Sequence, residues 1–392
     1  MLSFLDEIAV RLDHIKNVGL YRVLRDQAGV DFSSNDYLGL SRHPSLRAKL
    51  LQSLSRGPLS SPGSRLLSGN LPEHRALEER LAKFKKTEAA LLFSSGYQAN
   101  VGLLTSLIGR DDRTISDAAN HASIIDGLRL SGCEKVIVPH LDVSAIERAL
   151  AKRPPSGRTF LVTESLFSMD GDIAPLDEYA DLADRYGACL IVDDAHATGV
   201  YGPERGSGLC EEFGIETRPI ATVSTFGKAL GLCGAFVAGP KVIVDYLINN
   251  ARPFIFTTAT PPLLLAAIDA ALDIIAREPE RRRRVLELAA MLRDRLEARG
   301  LDCLGSAGHI VPVLLEQNDR AVRIAEEVRS HGYDVRAIRP PSVPPETARL
   351  RLSVHADHSR EEISGLARAI HSAVLVDSAA RTLDARPVRP VR

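Results

Sequence analysis

Two short runs carry the residue types from which an active site could be built. LIVDDAHATG brings Asp193, Asp194 and His196 to the end of an apolar, strand-like stretch, and STFGKALG sets Lys228 in a glycine-rich loop directly after another such stretch. Open α/β sheets carry ligand chemistry at the carboxyl ends of their strands, so the position is informative. Each residue alone has an ordinary use: an aspartate there can cap a turn, and a loop lysine is usually solvated. Together they supply a lysine able to form an imine and an acid able to keep a ring nitrogen protonated. SSGYQAN adds a helix start at Gly96 and Tyr97 whose backbone N–H groups suit a phosphate. These are the parts that pyridoxal phosphate chemistry needs.

The elements that must hold these residues follow from hydrophobic period. Short β-rich runs at ALLF (90–93), TISD (114–117), KVIVP (135–139), TFLVTES (159–165), CLIVDD (189–194), IATVS (220–224) and GAFVAG (234–239) alternate with helical patterns, one of them over Glu73–Lys86. Near-continuous apolar strands separated by helices describe a mostly parallel sheet covered on both faces, an α/β fold. Apolar residues at helical spacing from Leu2 to Ile15 predict an amphipathic helix in an N-terminal arm over 1–40. A large domain is expected over 41–260, then connecting helices and a small C-terminal α+β domain over 261–375, and a disordered tail over 376–392. In the second connecting helix Glu278 and Glu280 precede Arg282 and Arg284 by four residues, which predicts a solvated, ion-paired face for the run Arg281–Arg284.

Composition narrows the function classes. The 392 residues hold 49 Lys+Arg against 50 Asp+Glu, a formal net charge of -1, which supplies no electrostatic footprint for nucleic acid. No apolar stretch approaches the ~18 residues of a membrane span. The five cysteines are odd in number and widely spaced, neither a redox pair nor a zinc cluster, so no metal site and a reducing, cytoplasmic compartment are expected. FGKALG misses the phosphate-cradling loop of triphosphatases, with Thr222 where its glycine belongs and Ala229 where its Ser/Thr belongs. Neither a dinucleotide fingerprint nor a G-x-S-x-G elbow is present.

VDDAHATGVYGPERGSG, STFGKALGLCGAFVAG, TESLFSMDGDIAPL, SSGYQAN and SSNDYLGL together resemble the α-oxoamine synthase family of pyridoxal-phosphate enzymes, with similarity running from about Tyr21 to about Ile370. The resemblance implies a fold-type-I transferase with a mostly parallel seven-stranded sheet in its large domain. It implies a homodimer with its active site at the subunit interface, condensing an amino acid with an acyl thioester and releasing carbon dioxide. IRPPSVPPETARLRLS is most similar to the branch that joins L-alanine to a pimeloyl thioester, carried by acyl-carrier protein or coenzyme A. A module that kept the fold and lost the reaction is the rival outside enzymology; intact Lys228, Asp193 and His121 count against it.

The resemblance also assigns roles. Lys228 holds the cofactor covalently, Asp193 pairs with its ring nitrogen, and His121 lies flat on the ring. Ser168 and His196 bond its phenolic oxygen region. Gly96, Tyr97 and Thr225 form the phosphate cup, and Thr258 reaches it from the neighbouring subunit. Arg22 contacts the acyl substrate, Arg351 grips the amino-acid carboxylate, and Asn35 and Ser342 belong with them to the substrate-binding set. In ARLRLSV strand alternation puts Arg349 and Arg351 on one face and Leu350 and Leu352 on the other, so by geometry either arginine could be the ligand. Two positions depart from the family pattern: Ser342 stands where Thr is usual, and Glu346 where Gly is usual. Glycine permits positive φ and glutamate resists it, so the loop at Glu346 is the local conflict in this sequence.

Overall fold

The computed structural model describes residues 3–55, 57–152 and 156–384. These fall into two compact units, one drawn from 35–168 and 172–285, the other from 1–34, 169–171 and 286–392.

The first unit is built on seven strands: β1 (Ala89–Phe93), β2 (Arg113–Asp117), β3 (Glu134–Val138), β4 (Thr159–Glu164), β5 (Cys189–Asp193), β6 (Ala221–Thr225) and β7 (Ala235–Gly239). Each end lies within one residue of the run that predicted it. They hydrogen-bond in the order β1-β7-β6-β5-β4-β2-β3, with β7 antiparallel to both its neighbours and every other pairing parallel. Side chains such as Leu91, Phe93, Phe160, Ile191, Val223 and Val237 are buried against Leu103, Leu104 and Ile124 of the covering helices. Burying a side chain of that size contributes roughly 1.5–3 kcal/mol.

Helix α2 (Pro72–Lys85) precedes β1, α3 (Gly96–Leu107) follows it, and α4 (Ala122–Ser131) follows β2. Gly127 lets α3 and α4 cross closely: a Cβ there would stand 2.9 Å from Leu104 Cδ1.

Helix α5 (Pro262–Arg277), expected as a connecting helix ahead of the small domain, belongs to this unit. Its apolar stripe of Leu265, Ile268, Leu272 and Ile275 is buried, and Arg80 of α2 donates to Asp273 at 2.6 Å. In the arginine run that opens the next helix, α6 (Pro279–Glu297), Arg283 and Arg284 are exposed as expected, and Arg282 is a correction. Arg282 is buried and donates to the Ile275 carbonyl at 2.8 Å, and Arg281 bonds Glu278 at 2.6 Å. The neighbouring α5 carbonyl draws Arg282 inward, where charge periodicity alone predicts a solvated face.

In the second unit β9 (Arg336–Ile338), β10 (Ala348–Ser353) and β8 (Ile310–Glu316) form an antiparallel sheet with β10 central. It packs with α7 (Asn318–Ser330), and α8 (Arg360–Asp384) packs in turn on α7. The N-terminal helix α1 (Phe4–Asn17) groups here and buries none of its residues. Helix α8 runs to Asp384 through much of the segment expected to be a disordered tail; 385–392 lie outside the described residues. No Gly or Pro interrupts 366–384, and Asp377 pairs with Arg320 at 3.4 Å and Arg323 at 2.8 Å, which anchors the extra turns.

Candidate active site

Five parallel strand ends deliver the site. Ser95, Gly96 and Tyr97 follow β1, His121 follows β2, Glu164 ends β4 with Ser168 beyond it, Asp193 ends β5 ahead of His196, and Thr225 ends β6 ahead of Lys228. All lie in the first unit. A parallel sheet puts its carboxyl ends on one edge, so residues scattered over some 130 positions share one rim.

Asp193 is buried with both oxygens engaged. Oδ2 accepts from Asn100 Nδ2 at 2.6 Å, and Oδ1 from the Ala195 backbone N–H at 2.9 Å. The same Asn100 amide donates to Ser123 Oγ at 2.9 Å, and that hydroxyl lies 2.7 Å from His121 Nδ1. The Ser123 backbone N–H donates to the same ring nitrogen at 3.2 Å. A backbone N–H can only donate, so Nδ1 is the acceptor and the imidazole proton resides on Nε2. Burial lowers the His121 pKa, Lys228 lowers it further and Asp193 opposes the fall. His121 is thus a neutral ring in a fixed tautomer.

Glu164 is a site residue that the sequence reading passed over. It is the cross-strand partner of Asp193, is 2% exposed, and accepts the His121 backbone N–H at 2.5 Å. Burial pushes its carboxyl well above the ordinary range; Asp193 adds to the rise and Lys228 opposes it. Asn100, one turn into α3, was likewise missed. Its position after SSGYQ is the available sequence signal, whereas Glu164 emerges only once strand register is known.

His196 is held from the other side. Tyr37 Oη lies 3.0 Å from Asn35 Oδ1 and 2.7 Å from His196 Nδ1, so the phenol ties the imidazole to Asn35. Asn35 was selected from the sequence and the fully buried Tyr37 that links it to His196 was not.

The start of α3 forms a small cup. Ser95 caps the helix by accepting from Gln98 N at 3.2 Å, and a Cβ on Gly96 would lie 3.8 Å from Thr225 Cβ. Thr225 Oγ1 donates to the Gly234 carbonyl at 2.9 Å and accepts from Gly227 N at 3.2 Å, which fixes the turn before Lys228. Unpaired N–H groups and the positive helix end favour a phosphate here. Lys228 is half-buried and close enough to act electrostatically on both His121 and Glu164. Ser168 is buried in the loop after β4, and Thr258 is exposed after a short helix. An anion cup, a buried carboxylate oriented by an amide, a neutral imidazole and a lysine form a donor set that fits pyridoxal phosphate.

The other sequence-selected residues belong to the second unit. Arg22 donates to the Pro340 carbonyl at 3.3 Å, two residues from Ser342, whose backbone N–H bonds the Arg339 carbonyl at 3.1 Å. Arg349 and Arg351 are both buried on β10. Arg349 is ion-paired with Asp170 and bonded to the Thr347 carbonyl at 2.9 Å, whereas Arg351 donates to Ser353 Oγ at 2.9 Å.

The aminotransferase class I and II family model matches residues 27–370. An 8-amino-7-oxononanoate synthase of Geobacter sulfurreducens is 45% identical over 372 residues, 91% of this chain and 95% of that protein. Among solved structures, serine palmitoyltransferase of S. paucimobilis with a bound PLP-myriocin aldimine matches with a TM-score of 0.89 at 28% identity, covering 96% of this chain and 100% of that one. An 8-amino-7-oxononanoate synthase of Francisella tularensis matches with a TM-score of 0.78 at 29% identity, covering 90% of this chain and 100% of that one.

Proposed function

The chain belongs to the aminotransferase class I and II family, as an α-oxoamine synthase with pyridoxal phosphate as its cofactor, and on that premise we propose that it condenses L-alanine with a pimeloyl thioester. The products are 8-amino-7-oxononanoate, carbon dioxide and the free thiol, a step of biotin synthesis in the cytoplasm. The observation that carries the reading is the convergence of Lys228, Asp193 and His121 on one sheet edge beside a helix N-terminus, in a chain whose named relatives are 8-amino-7-oxononanoate synthases.

Bound pyridoxal phosphate supplies an electron-accepting ring that stabilises negative charge at the amino-acid α-carbon. Asp193, locked by Asn100 and the Ala195 N–H, holds the proton on the ring nitrogen. His121, neutral and protonated on Nε2, covers one ring face without placing a second cation there. His196 and Ser168 bond the phenolic oxygen side; Gly96, Tyr97 and Thr225 hold the phosphate. Lys228 Nζ would hold the cofactor, and its amine is the base positioned to take the α-proton of alanine. Arg351 binds the alanine carboxylate, and Arg22, Asn35 and Ser342 orient the acyl donor. The active species is a homodimer in which Thr258 serves the partner's phosphate site.

Borohydride reduction of the yellow holoenzyme followed by peptide mapping is expected to label Lys228, and Lys228→Ala is expected to abolish carbon dioxide release from carboxyl-labelled alanine. A label on another lysine removes the assignment. A pocket fitted to one methyl group discriminates by ~1–3 kcal/mol, so slow glycine turnover is compatible with the reading. A kcat/KM that favours glycine or serine with the same thioester overturns it.

A further inference from the structure

The second unit contains a cavity of about 260 Å³ whose lining includes Arg22, assigned above to the acyl donor. Arg22, Arg25, Arg329, Arg336 and Arg339 line it over a floor of valine and alanine side chains, with Glu326 as the one carboxylate in its wall. Arg25 pairs with Glu326, and Arg336 with Asp334 at 3.2 Å. The remaining three are held by carbonyls: Arg22 by Pro340 at 3.3 Å, Arg329 by Asp26 at 2.8 Å, and Arg339 by Gly19 and by Tyr21 at 3.4 Å. A carbonyl positions a guanidinium without neutralising it. Five arginines against two carboxylates leave an excess of three positive charges in one depression of a chain whose net charge is -1. Burial holds Arg339 below the ordinary arginine range, and the charges of Arg22 and Arg25 push it further the same way. Such a cluster is relieved by an anion.

We propose that this cavity is a phosphate-binding site for the phosphorylated pantetheine arm that carries the acyl group. The proposal rests on the thioester reading above for its source of phosphate. Guanidinium forks match phosphate oxygens bidentately, and each fork here still has donors to spare. An excess of three charges fits a multivalent phosphate ester better than the single carboxylate of an acyl chain. The volume is below the ~300–1,000 Å³ typical of sites that enclose whole ligands, which suits one diphosphate-sized segment of a longer molecule. Coenzyme A and the prosthetic arm of a carrier protein share this chemistry.

The test compares coenzyme A with pantetheine, which lacks phosphate, for binding to the holoenzyme by calorimetry at low and high salt. It also measures KM for pimeloyl-coenzyme A and for pimeloyl-carrier protein. Coenzyme A is expected to bind at least tenfold more tightly than pantetheine at low salt. Arg329→Gln and Arg339→Gln are each expected to reduce that ratio severalfold, leaving pantetheine binding, alanine affinity and melting temperature unchanged. Arg329 guards against the chance that Arg339→Gln merely loosens the segment it ties. If coenzyme A shows no advantage but both variants raise KM for the carrier-protein donor alone, the site stands with the carrier as its source. Equal binding of coenzyme A and pantetheine together with unchanged KM for both donors overturns the proposal. Phosphate-dependent binding without carbon dioxide release from any pimeloyl thioester would remove the proposed reaction and leave the site.

Discussion

The end of β5 separates two polar regions that begin one residue apart. Asp193 is 6% exposed and takes its bonds from an amide and a backbone N–H, in company with His121, Glu164 and Lys228. Asp194 is 0% exposed and is met by a fixed cation, Lys85 Nζ, at 2.7 Å, with Ser165 Oγ at 2.6 Å and Leu209 N at 3.1 Å completing its shell. Gly208 is required beside it, since a Cβ there would stand 1.8 Å from Asp194 Oδ2. The carboxylate saturated by a lysine is architecture. Its neighbour, bonded by neutral groups, keeps its charge available to a ligand.

That contrast predicts opposite signatures. Asp193→Asn is expected to reduce turnover about 100-fold or more, as loss of a preorganised charge does, with little change in melting temperature. Deuterium exchange into alanine should slow by a similar factor, and unchanged exchange would contradict the role. Lys85→Met strands a buried carboxylate and is expected to cost about 3–5 kcal/mol in chemical denaturation. Lys85→Met protein that unfolds at the wild-type midpoint would show that Asp194 had never depended on the pair.

The two buried arginines of β10 carry different proposed roles in the second unit. Arg349 is paired with Asp170, so Arg349→Ala is expected to lower stability by about 3 kcal/mol. Arg351 donates to Ser353 Oγ, and by its proposed role Arg351→Ala is expected to weaken alanine binding about tenfold or more. Normal alanine affinity with a lowered melting temperature would make Arg351 structural as well.

These pairs also mark where sequence reading stopped. Strand alternation put both arginines on one face of β10 but could not find Asp170, which lies far along the chain. The seven apolar runs were legible because burial on both faces leaves an unmistakable composition. Lys228 and Asp193 were legible because loop and strand end are local properties. Glu164, Asn100 and Tyr37 depended on register and helix crossing, and Arg282 on a carbonyl from another helix. Such partners are set by tertiary geometry, which residue types and spacing do not encode.

A third paired cation adds a pH dimension. His140 bridges Asp117 and Asp172 at 2.8 Å each, and these bonds outweigh burial and raise its pKa to about 10. A histidine with a raised folded-state pKa contributes stability that is fully present below its unfolded value of about 6.5 and is lost as pH rises through about 10. The melting-temperature gap between wild type and His140→Gln should therefore be wide at pH 6 and shrink by pH 10.5. A gap constant over that range would show that the ring's packing against Phe167, not its charge, holds the loop.

The smallest effect concerns a residue whose side chain has no hydrogen-bond or ion-pair partner among the described residues. Glu346 adopts φ 62° in an exposed loop, the left-handed conformation that its departure from the family's glycine foreshadowed. A side chain in that region costs roughly 1–2 kcal/mol, and glycine removes the clash while adding freedom to the unfolded chain. Glu346→Gly is therefore expected to stabilise the protein by about 1 kcal/mol or less. Glu346→Ala keeps the Cβ and deletes the charge, so it separates the two possible contributions. If Ala matches wild type and Gly exceeds it, backbone conformation alone is being relieved. If Ala is less stable than wild type and Gly brings no gain, the carboxylate itself contributes to holding the loop, and Glu346 joins the paired class exemplified by Asp194.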